Sequence, residues 1–338
     1  MDIYLAPLEG VTGHVFREAY DLFFKDIDKY FTPFLSANDR LNNKTVRELG
    51  YIERPEGNGT QIDRIGLSAP LVPQILGNDA DKTLELIGET RELWLQSGEL
   101  REGEFRPDEP GPTFNLNFGC PSGTVTAKGR GSGIFKDLSK MAEYLDKVFA
   151  GCESMKVKLS LKTRVGWNNP KEWPEIVRIY ADYPFEEIII HPRVRADMYN
   201  GNVRMETFEY AMEHLKVPLC YNGDIQTVDD FDRIISQFPA LGKIMIGRGI
   251  VRNPALVSEI RGMCDNGSKQ KVRGFIEALE KSYLGEIKRE EHAIMRMKEF
   301  WYYYEQHVEG FETEKRDIKK ARTLNEYMRA SRAILNHM

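Results

Sequence analysis

One cysteine in this chain stands apart from the other three. Residues 117–133 read NFGCPSGTVTAKGRGSG, so Cys120 lies between Gly119 and Pro121, and Gly123, Gly129, Gly131 and Gly133 follow. A free thiol titrates near pH 8.5, so a positioned cysteine is largely protonated at neutral pH and can act as a general acid. The flanking glycine and proline fix the backbone that aims it. The glycines beyond predict a mobile loop that closes over a substrate. Cys120, Cys152, Cys220 and Cys264 are scattered with no C-x-x-C pair, which argues against a zinc site and against a disulfide framework. The expected setting is a reducing cytoplasm, with no metal.

Such a thiol needs elements that hold it. Short apolar runs recur at Ile3–Leu5, Tyr30–Phe34, Val72–Leu76, Phe114–Leu116, Met155–Leu161, Glu187–Ile190, Leu219–Tyr221 and Lys243–Ile246. Amphipathic stretches lie between them, among them Leu138–Phe149, Trp173–Tyr183, Glu206–Leu215 and Thr227–Phe238. Strand and helix alternating eight times is the pattern of an α/β fold of the (β/α)₈ TIM-barrel type. A doubly wound open sheet is the alternative. Residues 50–70 and 98–112 are rich in glycine, proline and charge and read as surface loops. Beyond Cys264 the pattern turns helical. The expected organisation is a barrel over 1–255 followed by a C-terminal all-helical domain over 265–338. The aromatic run Phe300–Tyr304 reads as core of that helical part.

In such a barrel the active site forms where strands end and βα loops begin. Polar groups or glycines stand at each of those ends. They include Pro7-Leu8-Glu9 after the first strand, Gln74 in the third, and Asn117 and Cys120 after the fourth. Lys162 and Arg164 end the fifth, His191 and Arg193 the sixth, Asn222-Gly223-Asp224 the seventh, and Gly247-Arg248 the eighth. Glycine turns after the last two strands are the usual phosphate site of this fold, and Arg248 adds a charge-assisted donor.

The 338 residues carry a net charge of −5, unlike most nucleic-acid-binding domains, but the charge is uneven. Seven basic residues face two acidic ones between Lys315 and Arg332, and ten face four between Ser122 and Lys171. Two such patches suit either solvated faces or a grip on a polyanion. No apolar run reaches the roughly 18 residues of a membrane span, and the first residues lack the pattern of a signal peptide.

The stretches LAPLEGVTGHVFRE, PLVPQILG, NFGCPSGTVTAKGRGSGIFKD, KTRVGW, IIIHPRVRADMYNG, YNGDI and MIGRGIVRNP follow one another in the order of a known family. The chain resembles the tRNA-dihydrouridine synthases along the whole barrel, and more loosely through RMKEFWYYY in the helical part. The resemblance implies an FMN cofactor on the barrel top. Pro7, Leu8 and Glu9 would lie along its ring, and Gln74 and Lys162 at its polar edge. Asn222, Gly223, Asp224, Gly247 and Arg248 would surround its phosphate, and His191 would flank it. Asn117, Arg164 and Arg193 would address the substrate, and Lys315, Lys319, Lys320 and Arg322 would hold tRNA phosphates. The chain departs from the family at Leu8, where methionine is commoner, and at Gly13, where aspartate is usual. Ser132, Gly133 and Phe135 differ too.

The resemblance implies reduction of the C5–C6 double bond of uracil in tRNA. Hydride would come from flavin N5 to C6, and a proton from Cys120 to C5. NADPH or NADH would be the transient reductant, since no Rossmann fingerprint is present. Lys162 would stabilise the reduced flavin. The base must be drawn out of the tRNA stack. The expected protein is a monomer. One alternative is a flavin barrel acting on a free pyrimidine, like dihydroorotate or dihydropyrimidine dehydrogenases, which would not need the basic helical part. The other is a non-catalytic RNA-binding module, which would not need Cys120, Lys162 and His191.

Overall fold

The apolar runs pair side by side in chain order. The computed structural model describes residues 1–38, 40–56, 59–97, 112–263 and 268–337. Its strands are β1 (Asp2–Leu5), β2 (Lys29–Phe31), β3 (Leu35–Ser36), β4 (Tyr51–Glu56), β5 (Gly59–Arg64) and β6 (Leu71–Val72). They continue with β7 (Gln74–Leu76), β8 (Thr113–Phe118), β9 (Lys158–Arg164), β10 (Ile188–His191), β11 (Leu219–Asn222) and β12 (Lys243–Ile246). Ten of them form one sheet in the order β3-β7-β8-β9-β10-β11-β12-β1-β2-β6.

The two ends of that order meet. Pro33 separates β2 from β3, and Pro73 separates β6 from β7, because proline has no N–H for the ladder. Each pair is therefore one strand in two halves. Tyr30 pairs with Leu71 and Leu35 with Ile75, so the halves join in parallel on both sides of the breaks. Eight strands close into a (β/α)₈ barrel, and β1 seals it by pairing with both β12 and β2.

The main helices around it are α1 (His14–Phe23), α2 (Asn43–Glu48), α3 (Ala80–Gln96), α4 (Leu138–Ser154), α5 (Trp173–Tyr180), α6 (Met205–His214) and α7 (Val228–Gln237). Four more follow: α8 (Ser268–Glu286), α9 (Glu290–Tyr304), α10 (Glu312–Lys320) and α11 (Leu324–Leu335). The chain is thus a barrel with a helical C-terminal region. Phe275 of α8 meets Phe16 of α1 edge-on at 5.3 Å between ring centres, and one hydrophobic cluster runs from the barrel's outer layer into the helices. No helix among the described residues is long and apolar enough to cross a membrane.

The barrel is plugged at the end opposite the βα loops. Glu187, fully buried, accepts hydrogen bonds from Tyr4 at 3.0 Å, Lys29 at 2.8 Å and Lys243 at 3.0 Å. Burial opposes its charge, but the two lysines prevail and hold its carboxyl below the usual range. Above this plug Tyr4, Phe31, Val72, Ile189, Cys220 and Met245 fill the interior. Solvent-accessible polar chemistry is left to the other end.

Two sequence expectations need correction. Within 50–70, β4 and β5 form an antiparallel hairpin rather than an open loop. The turn signal Asn58-Gly59 stands in the sequence, but Pro55 and the surrounding charge masked it. The run Met155–Leu161 starts too early: α4 reaches Ser154, and the strand begins at Lys158. Residues 98–111 and Cys264 lie outside the described residues.

Candidate active site

At the βα-loop end of the barrel lies a cavity of about 810 Å³. Strand alternation decides what lines it. On β9 the side chains of Ser160, Lys162 and Arg164 share one face, as do Asn115 and Asn117 on β8. These are the inward faces. The cavity gathers Pro7, Leu8, Glu9, Gln74, Asn117, Cys120, Lys162, Arg164, His191, Asn222, Gly223, Asp224, Gly247 and Arg248. Fourteen of the residues expected to bind or react thus converge on one space.

A polar file crosses the barrel beneath Cys120. Asn115 Nδ2 donates to Ser160 Oγ at 2.9 Å, and Gln74 Nε2 donates to Asn115 Oδ1 at 2.8 Å. Asn117 Nδ2 donates to Gln74 Oε1 at 2.7 Å. Asn117 Oδ1 then accepts from the backbone N–H of Gly119 at 3.0 Å and of Cys120 at 2.9 Å. Asn117 therefore spends its carbonyl on the turn that carries the thiol, and keeps one N–H free for a ligand.

The glycine run behind the thiol is packed. Ser132 donates from both its backbone N–H, at 3.1 Å, and its hydroxyl, at 2.9 Å, to the Cys120 carbonyl. Gly131 has φ +55°, and a Cβ there would come 2.7 Å from the Cys120 carbonyl oxygen. Gly131, Ser132 and Gly133 are buried. The run expected to be a mobile lid instead forms a short 3₁₀ turn that holds Cys120 in place. Burial pushes the thiol's pKa up, only partly offset by the Ser122 backbone hydrogen bond and by Arg164 and Lys162. The sulfur is kept as the protonated acid.

Lys162 is half-buried and its ammonium makes no hydrogen bond or ion pair among the described residues. Burial, then repulsion from Arg164, lowers its pKa to about 8. His191 is buried and its pKa lies well below the usual value, through burial and then Arg164 and Lys162. It is neutral, and Arg193 donates to its Nε2 at 3.1 Å, which leaves the ring proton on Nδ1. Asp224 sits at φ +44°, a conformation that costs a non-glycine residue about 1 kcal/mol or more. It is held there by Arg193 and, at 2.8 Å, by Arg248. Two guanidinium groups against one carboxylate leave this corner net positive.

Two expected contacts point elsewhere. Arg193 is buried, bonded to Asp224, Gly201 and Asn200, and does not line the cavity. It positions Asp224 and His191 rather than addressing a substrate. Lys315 donates to the Val308 carbonyl at 2.7 Å and to Glu312 at 3.2 Å, so it ties the start of α10 instead of presenting charge. Lys320 and Arg322 are exposed, and Lys319, also exposed, pairs with Glu305 at 2.7 Å.

Other lining residues were not expected. Tyr199 lies under both Arg164, at 5.3 Å from guanidinium carbon to ring centre, and Arg248, at 5.0 Å. Tyr302 and Tyr303 reach the cavity from α9. The aromatic run therefore divides: Phe300, Trp301 and Tyr304 are core, and Tyr302 and Tyr303 are site. A signal existed, since the buried positions of α9 are Ala293, Ile294, Met297, Phe300, Trp301 and Tyr304, a helical stripe that skips the other two.

Residues 112–337 match the family model described as Dihydrouridine synthase (Dus). The chain is 28% identical over 261 residues to the tRNA-dihydrouridine(16) synthase of Pseudomonas syringae pv. tomato, covering 77% of this chain and 74% of that protein. It is 26% identical over 270 residues to the protein of the same name from Pseudomonas putida, covering 80% and 76%. A shorter match, 26% over 194 residues, covers 57% of this chain and 58% of tRNA-dihydrouridine synthase B of Shewanella oneidensis.

Proposed function

The chain belongs to the dihydrouridine synthase family, and from that premise we propose that it reduces the C5–C6 double bond of uridines in tRNA, using FMN and NADPH or NADH. One observation carries the reading: a buried, protonated thiol and an unpartnered ammonium face the same cavity, on neighbouring strands.

The residues present fit a flavin. An ammonium partly withdrawn from water with no partner calls for an acceptor or anion, and the polar edge of an isoalloxazine is one. Gln74 and Lys162 would meet that edge, with Pro7, Leu8 and Glu9 along the ring and His191 beside it. The net positive corner of Arg248, Asp224 and Arg193, with the turns Asn222-Gly223 and Gly247, would hold the phosphate. The chemistry such a group supplies, once reduced by the nicotinamide, is hydride transfer to C6.

The chain's own residues do the rest. Cys120 gives its proton to C5, and its raised pKa keeps the donor loaded at neutral pH. Asn117 and Ser132 hold the turn so that the sulfur does not swing away. Lys162 stabilises negative charge that builds at the cavity floor. Arg164 donates to the Gly119 carbonyl at 2.9 Å and the Val194 carbonyl at 3.0 Å, which fixes its charge beside the site. His191, neutral, offers no competing acid. Lys319, Lys320 and Arg322 would meet tRNA phosphates from the helical region, and the chain would act as a monomer in the cytoplasm.

The test is direct. Purified protein should be yellow. tRNA from cells lacking the gene should lose dihydrouridine at defined positions, and the purified protein with NADPH should restore it. Colourless protein, or an unchanged tRNA, removes the reading.

A further inference from the structure

A second cavity of about 370 Å³ adjoins the first. That is large enough for a small ligand. Glu9, Pro33 and Phe34 line both, so a thin partition at the break between β2 and β3 is all that separates them. The outer wall comes from α2, with Lys44 and Thr45, and from the helical region, with Tyr283 on α8 and Arg296 on α9.

The carboxylates in this cavity are spoken for. Glu48 takes His14 and Arg17, and Glu286 takes His14 and Arg47. Arg296 is bound to Glu299 at 2.7 Å and to the Gly10 carbonyl at 3.1 Å. Tyr283 is different. It is only 6% exposed, lines the cavity, and its hydroxyl makes no hydrogen bond among the described residues. A buried hydroxyl without a partner costs free energy unless a ligand supplies one. Lys44, exposed at the rim, makes no ion pair among the described residues.

The combination is an apolar partition, a hydroxyl that can donate or accept, and a free cation at the mouth. That is the chemistry that takes a nucleobase and its phosphate: a face to stack on, an edge to bond, a charge for the backbone. We propose, resting on the reading above, that the side cavity receives the base next to the target uridine, so that the RNA strand splays across Pro33 and Phe34 with one base on each side. RNA is favoured over the reductant's adenosine because the helical region, which carries the exposed basic residues, forms the cavity's outer wall.

The probes are UMP, the trinucleotide UpUpU and NADPH, each titrated calorimetrically into the flavin-loaded protein. In the wild type, UpUpU should bind about tenfold or more tightly than UMP, the expected effect of one more seated base. Thr45→Trp, which fills the cavity from α2, should abolish that advantage and leave UMP affinity unchanged. Tyr283→Phe and Lys44→Ala should each reduce it, and they serve if Thr45→Trp does not fold. The proposal is overturned if UpUpU binds no better than UMP, or if its advantage survives the variants. It is equally overturned if Thr45→Trp weakens NADPH and spares UpUpU, which would give the cavity to the reductant. Dihydrouridine formation on tRNA, measured on the same preparation, reports separately on the enzymatic reading.

Discussion

Glu48 caps a helix that Gly13 begins. A Cβ at Gly13 would stand 3.0 Å from Glu48 Oε1, and Glu48 Oε2 accepts from the His14 backbone N–H at 3.0 Å. Gly13 has no side chain to cap α1, so a carboxylate from α2 takes over. This accounts for the departure from the family's usual aspartate at that position. Glu48 also pairs with Arg17, which is buried, at 3.2 Å. Glu48→Ala should cost about 2–4 kcal/mol in urea unfolding, since it removes a cap and strands a buried guanidinium. Gly13→Asp should destabilise the wild type, where two carboxylates would compete, yet recover part of the loss in Glu48→Ala. Simple addition of the two losses would refute the substitution of one cap for the other.

His14 bridges the barrel to the helical region. Its ring meets Glu48 at 3.1 Å and Glu286 at 2.5 Å. Burial opposes protonation, but the bonds to Glu286 and Glu48 prevail and raise its pKa to about 9. A pKa raised on folding stabilises fully below the unfolded value near 6.5 and is lost as pH rises through about 9. The Tm difference between wild type and His14→Asn should therefore be largest near pH 6 and shrink steadily by pH 9.5. A difference that grows with pH would reverse the assignment.

Lys162 carries a cost that a ligand relieves. Its pKa is lowered to about 8, so the folded chain without flavin disfavours its charge. Stability from this group rises between about pH 8 and the unfolded value near 10.5. Flavin-free Lys162→Met should be more stable than flavin-free wild type at pH 7, by about 1–2 kcal/mol after solvent contact is allowed for, with the gap closing toward pH 10.5. The same variant should retain less flavin. Equal stability at pH 7 would mean the ammonium has a partner after all.

Cys120→Ala should fold, stay yellow and be reduced by NADPH at a near-normal rate. Oxidation of the pre-reduced enzyme by unmodified tRNA in a single turnover should slow by about 10²–10⁴-fold, the usual effect of losing a positioned acid. Serine should not rescue it, because a hydroxyl is a far weaker acid. Cys152→Ala should leave the step intact. An alanine enzyme that oxidises at the wild-type rate takes the acid role away from this thiol.

Neutralising Lys320 and Arg322 should weaken tRNA binding and lower the salt slope by roughly 0.7–0.9 per lost phosphate contact. Lys319→Gln should do less, since Glu305 already holds its charge. Lys315→Gln should lower Tm instead, because that ammonium ties α10 from within. Filter binding across a salt series separates the two kinds of lysine.

The sequence by itself determined the barrel and the convergence of its polar strand ends. Short apolar runs alternating with amphipathic stretches leave few ways to bury both, and a period of two along β8 and β9 already sends Asn117 and Lys162 to the same side. Cys120 was legible because its glycine and proline neighbours are an unusual local demand. Tertiary structure decided what each charge does. Arg193 and Arg248 look alike in sequence, yet one is buried behind Asp224 and the other faces the cavity, because exposure depends on which loop packs over a strand end. The packed role of Gly131 and the cap from Glu48 to α1 rest on contacts between segments 11 to 35 residues apart, which no local pattern encodes. Tyr302 and Tyr303 look like any surface tyrosines until α9 is docked on the barrel. A helical period tells which side chains leave the helical core, but only the docking tells whether they meet solvent or a site.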